Sequence, residues 1–326
     1  MKKCLIFLMV LSTFLLCSCG ENSATSFESE AINNGYNNFI VGGDMAYKDN
    51  NLYVNFYSVD NAKSFGTYRF NDKGVQQIVK DKNSAGDSFL NRPCFYQQNN
   101  ELFVFQNGDC YSYDESKNKL SKVDFDYDAF EQGSIITDDL TVIINGTSIK
   151  VKYKNNSEYI ISDDIYKVYV YNNVVYYVNS DGWLYCNDVT KSNSKSQFVS
   201  YLNEDTPTHF MVCGDYVYFD SYLAEDDNNK TGLYKYSLSK DEVSLVHKGE
   251  INCLNSYNNI MYFSDNNGIY SDNNSSVVTI TNRCAKSIYL LDNKYIYAIQ
   301  NDSGNVYRVT LDGQNTEIID YRSDTN

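Results

Sequence analysis

Proline is nearly missing from this chain, with two in 326 residues, and tryptophan occurs once. Histidine occurs twice, as His209 and His247, too few for the paired-histidine spacings of zinc sites. No Cys-x-x-Cys, Gly-x-Ser-x-Gly or His-Glu-x-x-His motif occurs, which removes the common redox, serine-hydrolase and metalloprotease signatures. Positive charge is short as well. Twenty-seven Lys and Arg face 42 Asp and Glu, a formal net charge of −15. Such an exterior repels nucleic acid, so no nucleic-acid partner is expected. Long amphipathic helical periods are absent from the chain beyond its N-terminus. What is abundant is tyrosine, with 31, and phenylalanine, with 17, residues that favour sheet. A hydrophobic content of 42% in a chain this long is enough for a large core.

The aromatic residues recur in a unit: a polar turn with Asn or Asp, an apolar residue, then an aromatic. Clear copies end at Tyr53, Phe103, Tyr176, Tyr218, Tyr262 and Tyr297, and a degenerate one ends at Val142. Their period averages about 41 residues, inside the range of propeller blades. A second aromatic run opened by Gly follows most copies, as in Gly182-Trp183-Leu184-Tyr185 and Gly232-Leu233-Tyr234. A third run, such as Val277-Val278-Thr279-Ile280, often closes the unit, and a short apolar run precedes several. Four strands per repeat predict an all-β chain: a β-propeller of four-stranded antiparallel blades, seven by this count, with six or eight open because the third copy is weak. Each blade must be covered by its neighbours, which explains strands apolar on both faces, such as Ile260-Met261-Tyr262-Phe263. The six repeat aromatics are expected to be structural.

Tyr262-Phe263-Ser264-Asp265 resembles the Tyr-Trp-Thr-Asp signature of the low-density-lipoprotein-receptor-type (YWTD) propeller, and Leu311-Asp312-Gly313-Gln314-Asn315 resembles that family's Leu-Asp-Gly-Ser-Asn turn. Arg69, Lys235 and Arg308 stand where the family often has a basic residue. No single blade carries the whole signature, and the likeness is best in the last repeats. It implies the fold and points to lipoprotein-borne bacterial relatives, not to an activity.

The N-terminus has the form of a signal peptide: Lys2 and Lys3, then an apolar run from Leu5 to Leu16 that is too short to span a bilayer. It ends Leu16-Cys17-Ser18-Cys19-Gly20, which resembles the bacterial lipoprotein box with Cys19 as the acylated residue. The resemblance implies cleavage before Cys19 and a fatty-acyl (palmitate-type) lipid anchor in the cell membrane, on its extracytoplasmic side. Removing Lys2 and Lys3 takes the formal charge to about −17. The expected organisation is a signal peptide at 1–18, lipidated Cys19 and a flexible tether at 19–38, the propeller at 39–322 and a tail at 323–326.

Six further cysteines remain: Cys94, Cys110, Cys186, Cys213, Cys253 and Cys284. Disulfides and small buried thiols are both open readings, with Cys94 and Cys110 in one blade and able to meet. Acidic loops such as Asp265-Asn266-Asn267-Gly268, Asn179-Ser180-Asp181-Gly182 and Glu225-Asp226-Asp227-Asn228-Asn229 carry calcium-type oxygens, yet lack the closing Glu and suit tight turns. Trp183 is read first as packing between blades, with stacking on a sugar or partner as the alternative. Carboxylate pairs such as Asp138-Asp139 and Asp163-Asp164 fall in expected turns. No catalytic residue, metal or cofactor is assigned. The expected function is a lipid-anchored, monomeric binding or scaffold module that recognises a glycan or protein through propeller loops or the channel mouth. The alternatives are a glycan hydrolase or lyase using channel-mouth carboxylates and an envelope scaffold acting through blade edges.

Overall fold

The computed structural model describes residues 34–57, 64–79, 93–98, 101–106, 109–123, 135–136, 140–145, 148–153, 157–162, 164–191, 195–202, 206–221, 231–300 and 303–320. Cys19, the segment expected to be a signal peptide, the expected tail and the loop Glu225–Asn229 lie outside these residues. Seven four-stranded antiparallel sheets follow one another along the chain, and each is a simple meander of consecutive strands. They are the blades of a β-propeller, covering 45–79, 94–123, 135–162, 165–201, 210–248, 251–281 and 287–319. The degenerate third repeat is a full blade. Val142 fills the place that an aromatic holds elsewhere and is buried.

In each blade the first strand is innermost and descends, and the second climbs back beside it. The hairpin between them explains the Asn and Asp of the repeat. At Asp49-Asn50, Asn172-Asn173 and Asn258-Asn259 both turn residues have positive φ, between 48° and 61°. Two consecutive left-handed residues make the turn that matches strand twist, and Asn and Asp tolerate that conformation best after Gly.

The repeat aromatics stand on the second strands. Tyr53, Tyr218, Tyr262 and Tyr297 are buried, whereas Phe103 and Tyr176 are half-buried. Several carry a hydroxyl contact that fixes them. Tyr218 on the strand Tyr216–Ser221 donates to Asp272 Oδ2 at 2.9 Å, in the next blade, and the Lys235 ammonium reaches the same oxygen at 2.7 Å. Tyr53 likewise contacts Glu115 of the second blade, and Tyr297 donates to Asp292 at 2.6 Å. The basic position of the repeat is thus a packing device. Lys235 joins two blades, and buried Arg308 binds Glu317 at 2.7 Å under the Tyr295 ring.

Gly313, in the Leu-Asp-Gly turn, has φ +75°, and a Cβ there would stand 2.1 Å from the Ile280 carbonyl oxygen of the sixth blade. Gly313→Ala is therefore expected to lose at least about 2 kcal/mol of stability, from a strained backbone plus a clash. Chemical denaturation checks this, and an unchanged midpoint would contradict it.

Among the described residues no strand is exchanged between the first and last blades. Closure is assisted from within by a short helix, α1 (Gly35–Ile40), which lies across the lower part of the channel. It touches the innermost strands of blades 1, 2, 6 and 7, and Tyr36 packs on Tyr169 of blade 4 with ring centroids 5.4 Å apart. Asn38 pairs with the free inner edge as an added strand would. Its Nδ2 donates to Leu290 O at 2.8 Å and its Oδ1 accepts from Leu290 N at 2.9 Å and from Asn255 Nδ2 at 3.0 Å. Asn34 donates to Asn255, Asn37 donates to Ser256 O, and Asn37 accepts from the Tyr169 hydroxyl. Residues 34–38, expected in the tether, therefore belong to the packed propeller. Inner-edge amides and carbonyls need partners, and a run of asparagines supplies them.

Candidate functional site

The upper rim, where innermost strands begin and second strands end, gathers the chemistry that the sequence singled out. Both histidines are there. His209 precedes the innermost strand of blade 5 (Phe210–Cys213), and its Nδ1 lies 2.7 Å from Asp220 Oδ2. His247 ends the outermost strand of that blade (Glu242–Lys248) and reaches across to Asp265 of blade 6, Nε2 to Oδ2 3.0 Å. The His247 ring also packs on Tyr270 and Phe263, at 4.6 and 5.2 Å between centroids.

Asp265 is fully engaged. Its Oδ1 accepts from the Asn267 and Gly268 amides at 2.7 and 2.9 Å, and Oδ2 also takes Asn267 Nδ2. The loop is a hydrogen-bonded turn, and so is Asn179–Trp183, where Asn179 Oδ1 accepts from Trp183 N at 2.8 Å. Among the described residues no cluster of His, Cys, Asp and Glu could hold a metal. Burial alone would raise the Asp265 carboxyl. The His247 hydrogen bond and the loop amides outweigh it and hold the group below the usual carboxylate range. A carboxyl depressed on folding stabilises above its unfolded value and loses that contribution as pH falls through its folded one. The thermal midpoint is therefore expected to drop on acidification below about pH 4, and Asp265→Asn should flatten that drop. Identical acid profiles for the two proteins would contradict this.

The described innermost strands contain no Asp or Glu. Asp44, just ahead of the first, is buried and accepts from the Tyr289 and Tyr57 hydroxyls at 3.1 and 3.4 Å. Paired channel carboxylates of the hydrolase reading are thus not found among these residues. Between the first and last blades the upper rim opens into a cleft of about 410 Å³, floored by Phe56, Tyr57 and Phe65 and flanked by Asn305, Ile318 and Asp320. The Lys286 ammonium sits 4.1 Å from the Tyr57 ring centroid, close by.

The fourth blade differs from the rest. Tyr166, Trp183 and Phe198 are 50%, 40% and 55% exposed, and they are the exposed aromatic residues among those described. Trp183 and Phe198 touch at 5.3 Å between centroids, and Tyr185 meets Phe198 at 6.0 Å. Trp183, first read as packing between blades, is thus well open to solvent, with Phe198 of its own blade against it. Sequence missed this because strand position does not show which face lies open at the outer end of a blade.

All six described cysteines are free. Cys94 and Cys110 lie on strands separated by Glu101–Gln106, so about 10 Å divides their backbones, beyond disulfide reach. Burial pushes the Cys110, Cys213 and Cys253 thiols up to about 12. Native protein is expected to leave these three unreactive toward a thiol reagent at neutral pH, with all six titrating after denaturation. Rapid native reaction of Cys253 would contradict its burial.

No helix among the described residues is long and apolar enough to cross a membrane. No protein-family model matches the chain. The search of curated proteins gives no match. Among solved structures the fold is similar to PorZ, a bacterial surface component of the type-IX secretion system of Porphyromonas gingivalis. The TM-score is 0.57 at 12% identity, over 85% of this chain and 38% of that one. It is also similar to the extracellular domain of a one-component-system protein of B. thetaiotaomicron, with TM-score 0.51 and 13% identity, over 82% of this chain and 38% of that one. The chain thus spans about two fifths of each of these proteins, and at such identity the likeness is one of fold.

Proposed function

We propose that this chain is an extracytoplasmic recognition module, held to the membrane by lipid on Cys19, that binds its ligand at the upper rim. One observation carries the reading: exposed Tyr166 and Trp183, the cleft and both histidine–aspartate pairs share that rim, while α1 lies across the lower channel. A rigid ring presenting variable loops on one face is a frequent basis for binding. The two neighbours with this fold, a surface component and an extracellular domain, support the location. The module acts as a monomer whose net charge of −15 disfavours anionic partners.

The test uses the full-length chain. Labelled palmitate should enter it in a bacterial host and be lost in Cys19→Ala. Purified in detergent, the chain is screened by thermal shift against glycans and peptides, because a ligand of the native state raises the midpoint. Ligands should lose their shift on substitution at the upper rim and keep it in Lys117→Ala, an exposed residue of a lower turn. A ligand insensitive to every upper-rim change would overturn the reading.

A further inference from the structure

The exposed aromatic side chains of the described structure do not scatter over seven blades; they stand on one. Tyr166 is the second residue of the innermost strand of blade 4 (Ile165–Tyr171), Trp183 the first of the third strand (Trp183–Asp188), and Phe198 lies on the outermost (Gln197–Tyr201). Innermost to outermost is three strand spacings, roughly 14 Å. The row begins at the channel mouth and slants outward and down, because Phe198 pairs with Tyr185, two residues below Trp183 on the third strand. Its members are fixed from below. Tyr185 packs under Phe198 and stacks on buried Tyr177 at 5.2 Å, and the Trp183 amide is tied to Asn179. Tyr166 lies under the Lys167 ammonium, 5.4 Å from the ring centroid.

Polar groups flank the rings. Asp164, Ser180 and Asp181 are exposed beside Tyr166 and Trp183, and Ser180 donates to Asp164 across the hairpin. Flat apolar faces next to hydroxyl and carboxylate groups match a sugar, whose ring face is apolar and whose edge is hydroxylated. A protein partner needs a desolvated core inside about 800 Å² on each side. A single file of rings hemmed by acidic and hydroxyl groups offers no such core. The carboxylates and the net charge of −15 disfavour acidic sugars.

We infer that the fourth blade carries a carbohydrate track that starts at Tyr166 and Trp183 on its upper edge, runs out to Phe198 and takes a neutral oligosaccharide across the three rings. This rests on the upper rim being the binding face and names its ligand class.

The sole tryptophan makes the test direct, because all indole emission reports from Trp183. Full-length protein in detergent is titrated with maltoheptaose, cellohexaose, laminarihexaose and chitohexaose, with oligogalacturonate as the acidic counterpart. The expected result is a saturable change in emission with at least one neutral glycan. Tyr166→Ala and Phe198→Ala should weaken it by about tenfold or more, with the thermal midpoint unchanged. Val277→Ala, exposed on the sixth blade, should bind as the parent does. Trp183→Ala, followed by calorimetry, should show no heat of binding. Silence of all four neutral glycans overturns the inference, as does full affinity in Trp183→Ala or equal affinity for the acidic sugar. Glycan binding that is lost in Ile318→Ala at the cleft, and kept in Trp183→Ala, also overturns it while sparing the upper rim as the binding face. Peptides from a random display library that require Trp183, with no glycan responding, would replace the glycan by a protein.

Discussion

Asn38→Ala should destabilise the propeller by about 3–5 kcal/mol. The substitution removes one short side chain and breaks three buried hydrogen bonds, to Leu290 N, Leu290 O and Asn255 Nδ2. The groups left behind belong to inner strands buried under α1, and each unpaired buried group costs about 1–3 kcal/mol. A surface asparagine in a tether would cost nothing measurable. Urea unfolding of the full-length chain separates the two, because the midpoint should fall with the slope unchanged. A change under about 1 kcal/mol would show that the channel helix is dispensable for closing the ring.

Tyr218→Ala should cost a similar amount, about 3–5 kcal/mol, the usual penalty for emptying the site of a large buried aromatic. Its ring is fully buried between blades 5 and 6. Its hydroxyl meets Asp272 and Asn274, both at 2.9 Å. Burial first, and then the Asp272 charge, hold that phenol far above its ordinary value, so it remains a donor at any working pH. Tyr218→Phe isolates the hydroxyl and should cost about 1–3 kcal/mol, since Asp272 keeps Lys235 but loses one donor. Equal stability of the Phe variant and the parent would mean that the contact between blades rests on the ring alone.

The architecture was legible because its cause is local. A hairpin that demands two left-handed residues leaves Asn258-Asn259 in the sequence, and the strand that follows brings Tyr262 three residues later, as Tyr218 follows Asp215 in the blade before. The blade count was legible even through the weak copy at Val142, since spacing survives when the side chain changes. The channel helix was not legible. Six residues with a glycine first and two asparagines are too few to show an apolar period, and the partners of Asn37 and Asn38 stand 132 to 252 residues away. The thiols were undecided for a like reason. Cys94 and Cys110 share a blade, but only strand order shows that another strand divides them. The exposure of Trp183 was not legible, because a strand position does not show how much of a side chain is left open.

The most direct test of the account uses that one residue. The claim is that the upper edge of the fourth blade presents aromatic surface to a ligand. Native, ligand-free protein should show red-shifted indole emission, readily quenched by acrylamide, that changes little on unfolding, because Trp183 is 40% exposed when folded. Blue-shifted emission shielded from acrylamide until the chain unfolds would bury Trp183 between blades and contradict the binding rim.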